Sequence, residues 1–360
     1  MTAPTTEFAG SPAHPEVAAC LVELGLGVPV GDGSQPAGRN HNWAGSTSHG
    51  RPVFAKHLHG RPGDVRRRLR RSVAFAEAMH SAGLPSPRLL GACEKHLVLV
   101  SDLVADVISG ADLAQADEFG PAPAAVAGEI VARLHSSPPE VAPDTSRPLL
   151  PDPGLLDALP LATYVELSNA EATFWRLVQS DPAIAVSVTR LLADSARAPL
   201  VPAHCDLRLD QFLWSDGRLL LTDGEEFRRA DPARDVGSFA GEWLFRSIAG
   251  LVTEFDGTAA VGPAADSDTT EAEIIGTATR RLAERRPIVA SFWRAYTSVR
   301  PPDPGLAARA TAFAGWHLLD RAAAGAARSA RLAAPLRAAM GVGRQALAAP
   351  DRFAATVGLA

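Results

Sequence analysis

The sequence contains very little lysine. All of its 35 basic residues are arginine except Lys56 and Lys95. A general preference for arginine accounts for this imbalance, since most surface positions accept either cation. A lysine that persists in such a sequence indicates a position that needs a compact ammonium group. Lys56 fits that description because it follows the apolar residues 53–55, whereas Lys95 lies in a turn before a strand.

Cysteines and long apolar runs are scarce as well. Cys20, Cys93 and Cys205 lie far apart with no CxxC pair, which excludes a disulfide framework and a zinc ribbon. A reducing cytoplasm is therefore the expected compartment. The residues at the start of the chain lack the basic and apolar segments of a signal peptide. The apolar run at 97–108 is interrupted by a serine and two aspartates, and so we expect no membrane-spanning helix.

The overall composition is that of a globular protein. The chain has 360 residues, of which 46% are hydrophobic and 21% are charged, and its formal net charge is −5. This length predicts roughly two domains. The small excess of acidic residues gives no electrostatic reason to expect nucleic acid or an anionic membrane as a partner.

The order of predicted elements divides the chain into two parts. Residues up to 104 hold a short helix, two strand-like runs within 36–58 separated by the turn-rich WAGSTSHG, a helix over 64–82 and the buried strand HLVLVSDLV. The periodicity after residue 105 is helical, apart from a β-rich island at 201–237. An α+β fold is expected, with a small β-rich N-lobe over 1–104 and a larger, mainly helical C-lobe over 105–360.

The island carries the strongest chemical pattern in the chain. Its sequence, VPAHCDLRLDQFLWSDGRLLLTDGEE, places Asp206 before Gln211 and then Asp223 after a predicted hairpin. Kinases need one carboxylate beside the acceptor hydroxyl and a second that binds Mg²⁺ at the nucleotide phosphates. An amide oxygen at Gln211 supplies a further hard ligand. The spacing therefore predicts Asp206 as the catalytic base, and Asp223 and Gln211 as metal ligands.

The same residues resemble the aminoglycoside phosphotransferase superfamily. That superfamily usually reads H-G-D-x-H-x-x-N, then an acidic metal loop, then D-P-x-x-D, and this chain reads HCDLRLDQ, TDGEE and DPARD. The resemblance implies a bilobed protein-kinase-like fold and an ATP- or GTP- and Mg²⁺-dependent transfer of phosphate to a hydroxyl. It departs from the pattern at Cys205, Gln211 and Gly224.

The resemblance also implies roles for several neighbours of these motifs. Arg208 occupies a position where serine/threonine kinases carry a lysine, and it is expected to neutralise charge on the transferring phosphoryl. Glu225 is expected to be a further metal ligand. Asp231 and Asp235 are expected to be structural, as a helix N-cap that supports the catalytic loop.

Lys56 ends the run VFAK, which is similar to the kinase strand whose lysine holds the α- and β-phosphates. Its expected partner is Glu77, the only acidic residue in the helix from Val65 to Ala82. The turn before this strand is expected to cover the phosphates with backbone N–H groups and hydroxyls. The residues of that turn are Gly45, Ser46, Thr47 and Ser48.

Arginines are concentrated in the first half of the predicted helix at 64–82. The pattern favours a solvated face, and the alternative is a docking surface for an acidic partner or peptide. The arginines concerned are Arg66, Arg67, Arg68, Arg70 and Arg71.

The acceptor is less well defined by the sequence. The segments RNHNWAGSTSHGRPVFAKHL and GWHLLDRAAAG resemble the kinase subunit of class V lanthipeptide synthetases. That resemblance implies a Ser or Thr of a precursor peptide as the acceptor, and a separate lyase or other synthetase subunit as a partner. It is the favoured hypothesis.

Two alternatives remain open. The first is a kinase for a small molecule, namely an aminoglycoside, a sugar or an amino alcohol. An aminoglycoside would need a carboxylate-rich pocket, for which the acidic residues within 256–273 are the candidates. The second is a pseudokinase, in which Gln211 and Gly224 leave a scaffold that binds nucleotide and a partner protein.

Overall fold

The computed structural model describes residues 13–36, 39–147, 153–249 and 271–360. The elements of the first part of the chain are α1 (Pro15–Glu23), β1 (Pro29–Ser34), β2 (His41–Thr47), β3 (Pro52–His57), α2 (Pro62–Ser81), β4 (Leu89–Cys93) and β5 (Val98–Asp102). The five strands form an antiparallel sheet of order β1-β2-β3-β5-β4, and the two helices pack against it.

Strand β3 shows why the sheet can carry a charged residue at the centre of the lobe. Side chains alternate between the two faces of a strand, and here Val53 and Ala55 are buried against the face that α1 covers. Phe54 and Lys56 lie on the opposite face and line an open cleft. The period of two in the VFAK run therefore directs Lys56 into the cleft.

The second part of the chain is mainly helical, with small sheets formed by the island. Its helices are α3 (Gly110–Gln115), α4 (Pro121–His135), α5 (Pro153–Asp157), α6 (Leu161–Tyr164), α7 (Asn169–Gln179), α8 (Pro182–Ser195), α9 (Ala233–Ala249), α10 (Glu271–Val299), α11 (Leu306–Ala326), α12 (Ala334–Ala348) and α13 (Pro350–Val357). Its strands are β6 (Ile108–Ser109), β7 (Val201–Ala203), β8 (Phe212–Ser215), β9 (Arg218–Leu221) and β10 (Arg228–Ala230).

Helices α4, α9, α10 and α11 pack around the largest core of the molecule. Phe239 of α9 stacks on Phe292 of α10 with ring centroids 4.1 Å apart. Gly128 allows α4 to approach α10 closely, because a Cβ there would lie 2.3 Å from the carbonyl oxygen of Phe292. This helical core holds the island at the edge of the cleft.

The α+β class, with a small antiparallel sheet and a larger helical part, is confirmed. The predicted hairpin of the island forms as β8 and β9, with Asp216 and Gly217 at positive φ in its turn. One local prediction is wrong: WAGST belongs to β2 and is not a turn. The lobe boundary at residue 104 stays a prediction. In the described residues, no helix is both long and apolar enough to cross a membrane.

Candidate active site

A cleft of about 960 Å³ separates the sheet from the helical part. It brings together residues that are far apart in the sequence, because β3 supplies one wall and the island supplies the other. The predicted site residues that line it are Lys56, Asp206, Arg208, Gln211, Asp223 and Glu225. Glu77 and the residues from Gly45 to Ser48 are not among its lining residues.

Asp206 and Arg208 lie together in the loop after β7. The Nε atom of Arg208 is 3.1 Å from Oδ1 of Asp206, and its Nη2 atom is 3.2 Å from Oδ2 of Asp210. Desolvation in the cleft raises the pKa of Asp206, and the positive charge of Arg208 only partly offsets this effect. The loop thus presents a carboxylate of increased basicity next to a guanidinium.

The backbone of this loop is held by Asp235 at the start of α9. Its carboxylate accepts hydrogen bonds from the backbone N–H groups of His204 and Cys205, each at 2.7 Å, and contacts the Nε2 atom of His135 at 3.0 Å. Burial acts to raise the pKa of Asp235, but the hydrogen bond and charge of His135, the charge of His204 and the N–H of Cys205 together outweigh it, and the pKa is lowered. Asp235 is therefore a buried anion that positions the loop directly before Asp206.

Cys205 stands in a conformation that favours glycine. Its φ is +67°, in the left-handed region that residues other than Gly, Asn and Asp seldom adopt. The Cys205 N–H donates to Asp235 and its carbonyl accepts from Nε of Arg234 at 3.1 Å. These two hydrogen bonds fix the strained residue directly before Asp206.

Asp223 follows β9 and meets Lys56 across the cleft. The distance from Nζ of Lys56 to Oδ1 of Asp223 is 2.7 Å. Burial acts to raise the pKa of Asp223, but the charge and hydrogen bond of Lys56, with smaller contributions from His204 and Arg208, together outweigh it, and the pKa lies below its usual range. The backbone N–H of Thr222 donates to the carbonyl of Gln211 at 3.0 Å, so that Asp223 and Gln211 are held in neighbouring positions.

The expected pair of Lys56 with Glu77 is not formed, and this prediction is wrong. Glu77 lies on the exposed side of α2, whereas Lys56 forms its second ion pair with Glu225 at 2.5 Å. Position 77 is two and a half turns of helix beyond Arg68, the α2 residue that contacts Glu225. The acidic partner of Lys56 comes from the loop after Asp223 and not from the helix.

Glu225 is held by partners from the sheet lobe. The Nε atom of Arg68 donates to its Oε2 at 2.7 Å, and Asn40 donates to its Oε1 at 2.7 Å. With Lys56 also on Oε1, both carboxylate oxygens are engaged. Glu225 therefore joins α2 and β3 to the segment after Asp223, and its role as a metal ligand stays a prediction.

The turn from Gly45 to Ser48 was expected over the phosphates, and this prediction is also wrong. In the β2–β3 pair, Asn42 lies opposite Lys56, whereas Ser46 lies opposite Pro52. Four residues of strand, about 13 Å, therefore separate the turn from the level of Lys56. Gly45, Ser46 and Thr47 belong to β2, and the turn that follows them is at the end of the β2–β3 hairpin away from Lys56.

The connection from β1 to β2, in contrast, lies at the end of the sheet that carries Lys56. Pro36, Arg39 and Asn40 of this connection line the cleft. The sequence gives little sign of this connection, because β1, with the sequence PVGDGS, has an alternation of polar and apolar residues too weak to predict a strand.

The sequence matches the model of a known protein family over most of the segment that forms this cleft. Residues 35–271 match the model of the phosphotransferase enzyme family named APH. The chain belongs to this phosphotransferase family. A search of curated proteins found no match to the sequence.

Solved structures of kinases share the fold of this phosphotransferase. A choline/ethanolamine kinase family protein from Mesorhizobium loti has a TM-score of 0.55 at 17% identity, covering 96% of this chain and 97% of that one. Amicoumacin kinase, in complex with AMP-PNP, Ca²⁺ and Ami, has a TM-score of 0.52 at 10% identity, covering 95% and 90%. A protein from Haemophilus somnus 129PT, named "Putative fructosamine-3-kinase", has a TM-score of 0.51 at 12% identity, covering 92% and 96%. At these identities the likeness concerns the fold alone.

The departure at Gly224 has a structural explanation in this family member. A Cβ at Gly224 would lie 2.2 Å from the Cβ of Phe75, so no side chain fits there. Phe75 of α2 contacts His204 and Phe227 edge to face, with centroids 5.4 and 5.6 Å away. The ring of Phe75 from α2 thus occupies the space next to Gly224, directly after Asp223.

The arginines of α2 do not form one solvated face, which corrects that expectation. Arg68 and Arg71 are buried, and Arg71 pairs with Asp144 at 2.6 Å between Nε and Oδ2. Arg67 and Arg70 are exposed. Two arginines of the cluster therefore connect the helix to the C-lobe side of the molecule.

Two residues that the sequence patterns did not indicate also line the cleft beside Asp206 and Arg208. They are Asp210, in the same loop as Asp206, and Arg321 of α11. Of the acidic residues within 256–273 that the aminoglycoside alternative named, Asp256, Asp266 and Asp268 lie outside the described residues.

Replacing Arg68 by methionine should lower the free energy of unfolding by about 3 kcal/mol, because Glu225 would lose a buried charged partner. Chemical denaturation measures the change. The matched control is Arg67→Met on the same helix, whose 61% exposed side chain predicts a change within about 0.5 kcal/mol. Adding Glu225→Met to Arg68→Met should recover part of the loss, and strict additivity of the two changes would argue against the pair.

Proposed function

We propose that this phosphotransferase moves the γ-phosphoryl group of Mg²⁺-bound ATP or GTP to a hydroxyl group. The observation that supports it best is the convergence of Lys56, Asp206, Gln211 and Asp223 on one cleft. A base, two oxygen ligands and an ammonium group are the parts that phosphoryl transfer requires. The shared fold with kinases solved with AMP-PNP is consistent with a nucleotide in this cleft.

Each residue has a defined task in this proposal. Asp206 accepts the proton of the acceptor hydroxyl as its oxygen attacks the γ-phosphorus, and the bond to the nucleotide diphosphate breaks. Lys56 binds the phosphates, and Arg208 offsets charge that develops on the transferring group. The carboxylate of Asp223 and the amide oxygen of Gln211 fit a hard divalent cation. Bound there, Mg²⁺ would neutralise charge on the nucleotide phosphates.

Two acceptor classes are candidates. A small hydroxyl compound is favoured by the family and by relatives named for choline, ethanolamine, fructosamine and amicoumacin. A peptide Ser or Thr in lanthipeptide-type biosynthesis, with a lyase partner, is the second candidate. It is supported by the segment GWHLLDRAAAG, which carries that resemblance and places Arg321 at the cleft.

Mass spectrometry of acceptors incubated with the protein, Mg²⁺ and ATP or GTP tests the proposal. Amino alcohols, amino sugars, aminoglycosides and Ser/Thr-containing precursor peptides are offered in parallel, and a gain of one phosphate identifies the acceptor class. Binding of nucleotide without transfer to any acceptor would instead support the pseudokinase scaffold.

Replacing Asp223 by asparagine should weaken the binding of Mg²⁺-nucleotide by at least about tenfold, because a negatively charged ligand of the metal is lost. Calorimetric titration with AMP-PNP, with and without Mg²⁺, measures it. The effect should be largest in the presence of Mg²⁺. Equal affinity of the variant and the wild type under both conditions would remove Asp223 from the metal site.

A further inference from the structure

Four histidines meet on the side of the sheet lobe that carries α1, and the function proposed above uses none of their side chains. His14 immediately precedes α1, His41 begins β2, and His57 ends β3. His41 and His57 lie directly opposite each other in the strand pair. His59 follows, with its ring centroid 4.0 Å from that of His41 and 4.3 Å from that of His57.

We propose that His14, His41 and His57 form a binding site for one divalent transition-metal ion of the Zn²⁺ class. One ring nitrogen from each of the three lies within 4.8 Å of the other two. Three nitrogens around a tetrahedral Zn²⁺ are about 3.3 Å apart, so small rotations of the rings complete the geometry. Imidazole nitrogen is a preferred ligand of Zn²⁺, Ni²⁺, Cu²⁺ and Co²⁺ but not of Mg²⁺ or Ca²⁺.

The hydrogen bonds of these rings point to the same conclusion. His57 is only 9% exposed, and its buried Nδ1 atom has no hydrogen-bond partner among the described residues. Buried polar atoms in folded proteins almost always have a partner. His14 uses Nδ1 to accept from the N–H of Glu16 at 3.3 Å, which leaves its Nε2 atom as the metal ligand. An ion at the centre of the cluster would satisfy Nδ1 of His57.

Glu16 lies two residues after His14 and pairs with His96, so its carboxylate does not occupy the rings of the cluster.

The position of the cluster suggests that the metal is structural. It would join the residue before α1 to the ends of β2 and β3. The segment that follows β3 also reaches the active site, because the backbone N–H of His59 donates to Asn40 at 3.2 Å and its carbonyl accepts from Nη1 of Arg68 at 2.8 Å. A metal here would therefore stabilise the lobe and the segment that holds Arg68.

Titration of the untagged, metal-free protein with Co²⁺ and Zn²⁺, without Mg²⁺ or nucleotide, tests the proposal. We expect one equivalent to bind, with Co²⁺ giving the visible absorption of nitrogen coordination. His14→Ala and His41→Ala should each lower the affinity at least tenfold. Zn²⁺ should raise the melting temperature of the wild type but not that of His41→Ala. His57 is left intact because its burial would confuse loss of metal with loss of fold.

Two controls separate this site from other ways of binding a metal. His80→Ala removes an exposed histidine of α2 in the same lobe and should leave the affinity unchanged. Asp223→Asn alters the cleft and should also leave Co²⁺ binding unchanged. Binding below one equivalent, or equal affinity in His14→Ala, His41→Ala and the wild type, would overturn the proposal. Loss of binding in Asp223→Asn would overturn it too, since the metal would then lie in the cleft.

Discussion

Replacing Asp206 by asparagine should lower the rate of phosphate transfer about 10²- to 10⁴-fold, which is the usual contribution of a general base. Asparagine has nearly the same shape, but its amide cannot accept the proton of the acceptor hydroxyl. The cleft raises the pKa of Asp206, which makes its carboxylate a better base than an exposed aspartate. The proposed nucleotide contacts are made by other residues, and so the affinity for AMP-PNP should stay within about twofold of the wild type.

Single-turnover measurements with saturating nucleotide give the rate, and calorimetry gives the affinity. Asp210→Asn is the matched control, because Asp210 also pairs with Arg208 and lines the cleft. If the ion pairs of Arg208 were the cause of the loss, both variants would be slowed alike. We expect Asp210→Asn to lose less than about tenfold. Transfer by Asp206→Asn at the wild-type rate would disprove the role of Asp206 as the base.

The island and Lys56 show what the sequence could predict. Asp206, Gln211 and Asp223 lie on a short segment whose geometry is determined by one tight hairpin, and the structure places all three in the cleft. Lys56 was identified from the rarity of lysine and from its place at the end of an apolar strand. Period-two alternation then determines the face on which its side chain lies. Local spacing was sufficient at these positions.

The partners of Lys56 were mispredicted because they depend on packing over long distances. The kinase helix predicts Glu77 of α2 as the partner, but the rotation of α2 turns Arg68 towards Glu225 and Glu77 towards solvent. Glu225 then supplies the carboxylate from 157 residues beyond Arg68. A helical wheel of α2 could have shown that Arg68 and Glu77 lie on different faces. Nothing in the local sequence shows which carboxylate meets Arg68.

Replacing Asp235 by alanine should lower the free energy of unfolding by about 4.5–9 kcal/mol. Three buried donors, the N–H groups of His204 and Cys205 and the ring of His135, would lose a charged acceptor, each at a cost of about 1.5–3 kcal/mol. Cys205 would also lose a hydrogen bond that fixes its left-handed conformation. Urea denaturation at pH 7 measures the loss. Asp194→Ala, which removes a half-exposed carboxylate of α8, is the control and should change stability by less than about 0.5 kcal/mol.

The loss should also depend on pH, which separates the charge of Asp235 from its volume. The pKa of Asp235 is lowered in the folded protein, so its carboxylate stabilises the fold fully above the unfolded-state pKa of about 3.9. This contribution is lost as the pH falls through the lower, folded-state pKa. The difference in stability between the wild type and Asp235→Ala should therefore be constant from pH 7 to about pH 5 and shrink below about pH 4. A difference that persists unchanged at acid pH would mean that Asp235 acts by packing, and the electrostatic support of the catalytic loop would be refuted.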